Sequence, residues 1–249
     1  AQGPSWGWSH DRVLGSFGAA AVLGAVFLTR SMRHPEPVLD LSLFAHRRFA
    51  LANAAMLTYS MGFFAMLLGN VLFLTSVWHH SILWAGLAIT PSPLIVAAVS
   101  GPVGKVATRI GFRPVLVAGA AVYGLAILWL YARAGLSADY LGVWLPGSLV
   151  LGLGVGLTFP VLSAAAVSTL PPGRFAVGAA VSQTARQVGG AVGVAVLVAI
   201  LGAPRDAAVA LAGFRHLWLY IAAMTAVTGV VAGFLRRPAP AGSGPPTSR

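Results

Sequence analysis

From Leu141 to Leu170 no side chain carries a charge. A helix needs about 20 mostly apolar residues to cross a bilayer core roughly 30 Å thick. Six further runs meet that demand: about Val13 to Leu28, Ala50 to Val77, Ile82 to Val103, Pro114 to Ala132, Ala176 to Leu201 and Phe214 to Leu235. A membrane β-barrel would need stretches of about ten residues with alternating polarity, and a stretch such as Gly178–Ile200 does not alternate. The sequence therefore predicts an all-α membrane protein with seven transmembrane helices. Composition agrees. Only 8% of the 249 residues are charged, against about a quarter in soluble domains, which excludes a soluble globular fold. The absence of cysteine excludes disulfide scaffolds, thiolate metal sites and cysteine nucleophiles.

The charges fall between the runs. Arg30, Arg33, Arg47, Arg48, Lys105, Arg109, Arg113, Arg174, Arg236, Arg237 and Arg249 lie on one side of the predicted topology. Arg12, Arg133, Arg205 and Arg215 lie on the other. The cation-rich side is cytoplasmic by the positive-inside rule, so the C-terminus is expected in the cytoplasm and the N-terminus outside. The net charge of +11 then marks a membrane rim facing lipid headgroups, and no nucleic-acid partner is expected. Trp6, Trp8, Trp78, Trp84, Trp129, Trp144 and Trp218 are expected near the poorly charged side as an interfacial belt. The chain starts at Ala1, and nothing near it resembles a signal peptide. An outside N-terminus without a signal leads us to expect a piece of a longer protein, with an odd number of spans upstream. The segment Pro238–Arg249, rich in Pro, Gly and Ser, is expected to be a disordered cytoplasmic tail.

Chemistry-bearing residues are few. Asp11, Glu36, Asp40, Asp139 and Asp206 all fall in loops or at span ends, and the six histidines are read as loop or interfacial. Proton relays in membranes run through buried carboxylates or histidines, so these runs offer no evident proton carrier. No metal-ligand cluster, no catalytic pair and no phosphate-cradling loop is present, and an enzyme is not expected. One charge does lie inside a span: Arg186, within Ser182-Gln183-Thr184-Ala185-Arg186-Gln187. It costs at least about 2.5 kcal/mol in a lone helix, so Arg186 and Gln183 are expected to face a polar cavity or a carboxylate partner. In the second run Tyr59, Phe63, Met66, Asn70 and Phe73 recur every three or four residues and share a helix face. Aromatics, a thioether and one amide suit an adaptable ligand wall, so Tyr59, Phe63, Met66 and Asn70 join the candidate substrate-binding residues. Asn53 is expected to make a helix–helix hydrogen bond. Gly152 with Gly156, and Gly189 with Gly193, are small-residue pairs that let helices approach closely. Pro91 and Pro93 should interrupt the third run and Pro160 the fifth.

The segment Gly104-Lys105-Val106-Ala107-Thr108-Arg109-Ile110-Gly111-Phe112-Arg113 is read as a short loop. Gly104, Arg109, Gly111 and Arg113 resemble the glycine-and-arginine loop of the major facilitator superfamily, in the copy found in the second half of that fold. Thr108 stands where the pattern has an acid. Gly3-Pro4-Ser5-Trp6-Gly7-Trp8, Leu39-Asp40-Leu41-Ser42-Leu43-Phe44 with Arg47-Arg48-Phe49-Ala50, and Thr184 through Gly193 are similar to stretches of the fourteen-helix drug:proton antiporters. The resemblance covers about residues 1 to 235. It implies an external segment, linker helix and cytoplasmic loop over 1–48, a six-helix C-terminal bundle over 49–235 and a tail over 236–249. It also implies a missing N-terminal half, a bacterial inner membrane, and export of small amphipathic compounds by alternating access. A proton gradient would be the energy source, with no cofactor. Export of a lipid, siderophore or metabolite on the same fold, or a non-transporting scaffold, are the alternatives.

Overall fold

The computed structural model describes residues 41–168, 170–204 and 206–235, together with positions 15, 18, 19, 22, 23, 26, 29 and 30. Ten of the sixteen residues of the predicted span Val13 to Leu28 lie outside these residues. Trp6, Trp8, the loop before Leu41 and the tail after Leu235 lie outside them as well.

A 3-10 turn at Leu41–Ala45 leads into α1, Arg47–Ser76. Helices α2 (Ile82–Ile89) and α3 (Pro91–Ile110) follow and together make one span, and α4 is Phe112–Arg133. A π-helical turn at Tyr140–Trp144 runs into α5, Leu145–Val167. Helices α6 (Phe175–Leu201) and α7 (Ala207–Gly233) complete the described chain. Six spans among the described residues are thus long and apolar enough to cross a membrane.

Polar caps and prolines set the helix ends. The Ser81 hydroxyl accepts from the Trp84 N–H at 3.2 Å, and Asp139 from the Gly142 N–H at 2.7 Å. Each satisfies a backbone donor that a helix start leaves without a partner. Pro91 restarts the third span two residues after Ile89, because its missing N–H is tolerated in the first turn. The α5 helix, in contrast, continues through Pro160. Asp206 accepts from the Val209 N–H at 2.8 Å, and α7 therefore begins at Ala207, well before the expected Phe214. Arg215 and His216, read from sequence as flanking that span, lie within the helix and are exposed.

The spans form a curved row closed across its middle. Helix α1 packs against α6 and α7; α4 lies between α7 and α5; α3 leans on α5; and α1 meets α5 across the centre. In its most apolar window α5 is 56% buried, the span Ile82–Ile110 11% and α6 22%. The last two are therefore the least covered by the bundle. At mid-span α6 presents Gln183, Thr184 and Gln187 outward.

The tryptophan belt needs correction. Trp78, Trp144 and Trp218 are buried around Phe73, with ring centroids 5.2, 5.6 and 5.2 Å from it. Trp144 stacks on Phe73 with only 3° between planes. These large rings fill the space where α1, α5 and α7 converge, and the Trp78 indole N–H donates to the Gly135 carbonyl at 2.9 Å. Among the described tryptophans, Trp84 and Trp129, 39% and 38% exposed, keep the surface position of a belt. Asn53 also differs from expectation. Its amide donates to the Phe49 carbonyl of its own helix at 2.9 Å rather than across to a neighbour.

Candidate functional site

The three-and-four spacing on α1 places its stripe toward α3, α4 and α5, but the members have separate fates. Phe73 enters the tryptophan cluster just described. Tyr59 is 1% exposed and lies 6.0 Å from Phe63, 5.8 Å from Tyr123 and 6.2 Å from Phe159 between ring centroids. It therefore backs the site and does not line it, a correction to the sequence reading. Phe63, Met66 and Asn70, between these two ends, line a cavity of about 340 Å³. Ile89, Ser92, Pro93 and Val96 close it from the α2–α3 span, Tyr123 from α4, and Leu151, Val155 and Phe159 from α5.

That size falls within the range of small-molecule sites, which are mostly apolar with a few placed polar groups. Here the polar groups include the Asn70 carbonyl oxygen and the Tyr123 hydroxyl, both buried without a hydrogen-bond partner. Leaving a buried polar group unpaired costs about 1–3 kcal/mol. A ligand with an apolar body and a hydrogen-bond donor would recover that cost at Asn70.

A second cavity, of about 240 Å³, lies between α1, α5 and α6. Met56, Ser163, Ser182, Gln183 and Arg186 line it. Arg186 is the twelfth residue of α6, about 3 Å along the axis from the helix midpoint at 1.5 Å per residue. Its Nε is buried with no partner, and its guanidinium carbon lies 5.4 Å from the centre of the Phe159 ring. An arginine over an aromatic face is attracted by the ring quadrupole, but that contact leaves the N–H group unpaired. The two serines do not help. Ser163 and Ser182 donate their hydroxyl protons to Phe159 and Gly178 carbonyls of their own helices, at 3.1 and 3.0 Å.

The predicted residues thus divide into two groups. Phe63, Met66 and Asn70 share one cavity, and Gln183 and Arg186 share the other. Phe159 borders the first and lies under the cation of the second. Sequence reasoning passed over Phe159 and Tyr123. Phe159 is the single aromatic residue in α5 and precedes Pro160, which is the signal that would have found it.

The paired glycines sit where the walls of both cavities cross. A Cβ at Gly189 would collide with the Leu57 carbonyl oxygen, and one at Gly193 with the Met61 backbone, so α6 rests directly on α1. A Cβ at Gly152 would lie 2.5 Å from the Ser92 oxygen and one at Gly156 3.4 Å from the Val96 Cα, so α5 approaches α3.

No protein-family model matches the chain. Individual proteins do. Multidrug resistance protein Stp of Mycobacterium tuberculosis is 31% identical over 202 residues, 81% of this chain and 37% of Stp. A tetracycline resistance determinant of Streptomyces rimosus is also 31% identical over 202 residues, 80% of this chain and 58% of that protein. YcnB of Bacillus subtilis, an uncharacterized MFS-type transporter, is 27% identical over 247 residues, 94% of this chain and 51% of YcnB. The chain belongs to the drug-efflux transporters of the major facilitator superfamily. It spans between about a third and three-fifths of the length of these relatives. They are transporters, and the six spans make this chain a multi-pass membrane protein.

The superfamily's glycine-and-arginine segment has a different shape from the loop expected. Helix α3 runs on to Ile110, so Gly104 and Arg109 are helical. Gly111 alone breaks the chain, at φ 94° and ψ 159°, and α4 begins at Phe112. A positive φ is cheap only for glycine, which is why the turn falls there and needs no longer loop. Arg109 in the last turn of α3 and Arg113 in the first turn of α4 are both exposed at this junction. Thr108, at the acid's place, donates its hydroxyl proton to the Lys105 carbonyl at 2.8 Å.

Proposed function

We propose that this chain forms one six-helix bundle of a proton-driven exporter of small amphipathic drugs, and that it works against a second bundle docked along α3 and α6. The observation that carries this reading is the mid-span polar face of α6. Gln183, Thr184 and Gln187 are exposed on the surface of the bundle, Gln183 at the edge of the Arg186 cavity, and polar groups at that depth face protein or a water-filled cleft rather than lipid. The span Ile82–Ile110, covered still less, is the other end of the row. The two cavities lie inward of these helices, so substrate between two bundles would reach Phe63, Asn70 and Phe159. Rocking of one bundle against the other about a site near the midplane gives alternating access.

The described spans contain no Asp or Glu, so in this reading the carboxylates that carry protons belong to the second bundle. The basic ends at Arg47, Arg48, Lys105, Arg109, Arg113 and Arg174 lie in the cytoplasm, in the inner membrane of a bacterium.

The test is dye export from inverted vesicles. Vesicles holding only these 249 residues should not accumulate an amphipathic dye. Vesicles that also hold the N-terminal half of a relative should accumulate it, and should lose it when the proton gradient is collapsed. Proton-coupled accumulation by the 249 residues alone would overturn the reading.

A further inference from the structure

We infer that the cavity at Arg186 is a receptor for a carboxylate and favours anions over cations. The inference deepens the exporter reading. It rests on that reading for the anion's role, but not for its binding.

The argument is one of donors and acceptors. Arg186 brings a full positive charge to the middle of α6, and no Asp or Glu lies in any described span to balance it. Its Nε is buried without an acceptor. Around it, Met56 is apolar, and the hydroxyl protons of Ser163 and Ser182 are held by their own helices. The cavity's free donors are therefore the guanidinium and the Gln183 amide, three residues apart on one helix face. A planar fork of N–H groups with an amide beside it matches the two oxygens of a carboxylate. The apolar body of such a ligand has a place on the far side of Phe159, whose ring borders the 340 Å³ cavity and lies 5.4 Å from the guanidinium carbon. The carboxylate can belong to a substrate or to a side chain of an adjoining bundle. Both present the same group to Arg186.

The experiment uses the purified chain in lipid nanodiscs and three probes sharing one naphthyl body: a carboxylate, its carboxamide and its ammonium analogue. The carboxylate should bind about tenfold to a hundredfold more tightly than the carboxamide, the range expected for a hydrogen bond to a charged group, and the ammonium analogue should bind worst. Arg186→Gln should abolish the carboxylate's advantage over the carboxamide, and Arg186→Lys should restore part of it. Equal affinity of the wild-type chain for carboxylate and carboxamide, or an advantage that survives Arg186→Gln, overturns the inference.

The source of the anion is then read from export by the chain together with a complementary half. If the substrate supplies the carboxylate, Arg186→Gln loses export of the carboxylate probe alone. If a side chain supplies it, export of both carboxylate and carboxamide is lost, and unchanged export of both counts against either source. Carboxamide binding that ignores Phe159→Ala and Asn70→Leu would sink the apolar cavity as a drug site while leaving the Arg186 result standing.

Discussion

The two cavities meet at Phe159, whose ring borders one and lies under the guanidinium that lines the other, and they are built on opposite principles. On the α3 side the walls are mostly aliphatic and aromatic, and the polar content is Ser92 with an amide oxygen and a phenol that lack partners. On the α6 side a guanidinium, an amide and two self-bonded hydroxyls surround a smaller space. The first costs little to hold empty and can take many shapes. The second holds a charge at a depth where charge is expensive, and that expense is sustained by folding elsewhere in the bundle. Adaptability and charge recognition are thus separated in space and joined by a single ring.

The largest effect should come from removing that ring. Phe159→Ala should lower stability by about 3 kcal/mol, the low end of the cost of truncating a core phenylalanine because the ring is only half-buried, and should remove the aromatic face beneath the Arg186 guanidinium. Thermal unfolding in detergent checks the first, and loss of discrimination between carboxylate and carboxamide probes checks the second. Arg186→Leu should move stability the other way, by up to about 2.5 kcal/mol, since it removes the buried unpaired charge. A less stable Leu variant would mean that the cation already has a partner within the bundle.

The glycine crossings separate the sides further. Gly189→Ala should loosen the α1–α6 crossing, and Gly152→Ala the α3–α5 crossing, each by about 1–3 kcal/mol, the scale of overpacking. Probe binding should fall on the Arg186 side for the first and on the Asn70 side for the second. Equal losses on both sides in either variant would show that the cavities do not deform independently. Gly111→Ala touches neither cavity. It should cost about 1–2 kcal/mol from the left-handed backbone alone, leaving probe selectivity intact. The smallest change is Asn70→Leu. It should weaken probes that carry a hydrogen-bond donor by about threefold to tenfold, spare donor-free probes and leave Arg186 unaffected.

Much of this arrangement was legible in the sequence because a bilayer demands long apolar runs. The runs give the six described spans with small errors at their ends. The ends were misjudged where one residue decides them: the Asp206 cap starts α7 early, and the positive φ of Gly111 lets α3 continue through residues read as a loop. Helical spacing placed Phe63, Met66 and Asn70 on one face, because that is a property of a single helix. It could not tell that Tyr59 on the same face would be covered by Tyr123 and Phe159, since those contacts join residues far apart in the chain. The tryptophans failed for the same reason. Proximity to a span end says where an indole begins, but the convergence of α1, α5 and α7 on Phe73 decides where it packs.

The position of Phe159 has a thermodynamic consequence. A ring that borders one space and carries on its face the cation lining the other cannot shift without disturbing both, so occupants of the two cavities are linked. If a neutral drug beside Asn70 changes the affinity of Arg186 for an anion by some factor, the anion must change the affinity for that drug by the same factor. A single molecule filling both spaces would take up that coupling within itself. Two separate molecules would report it as cooperativity or as competition, with the sign set by which way the ring must turn.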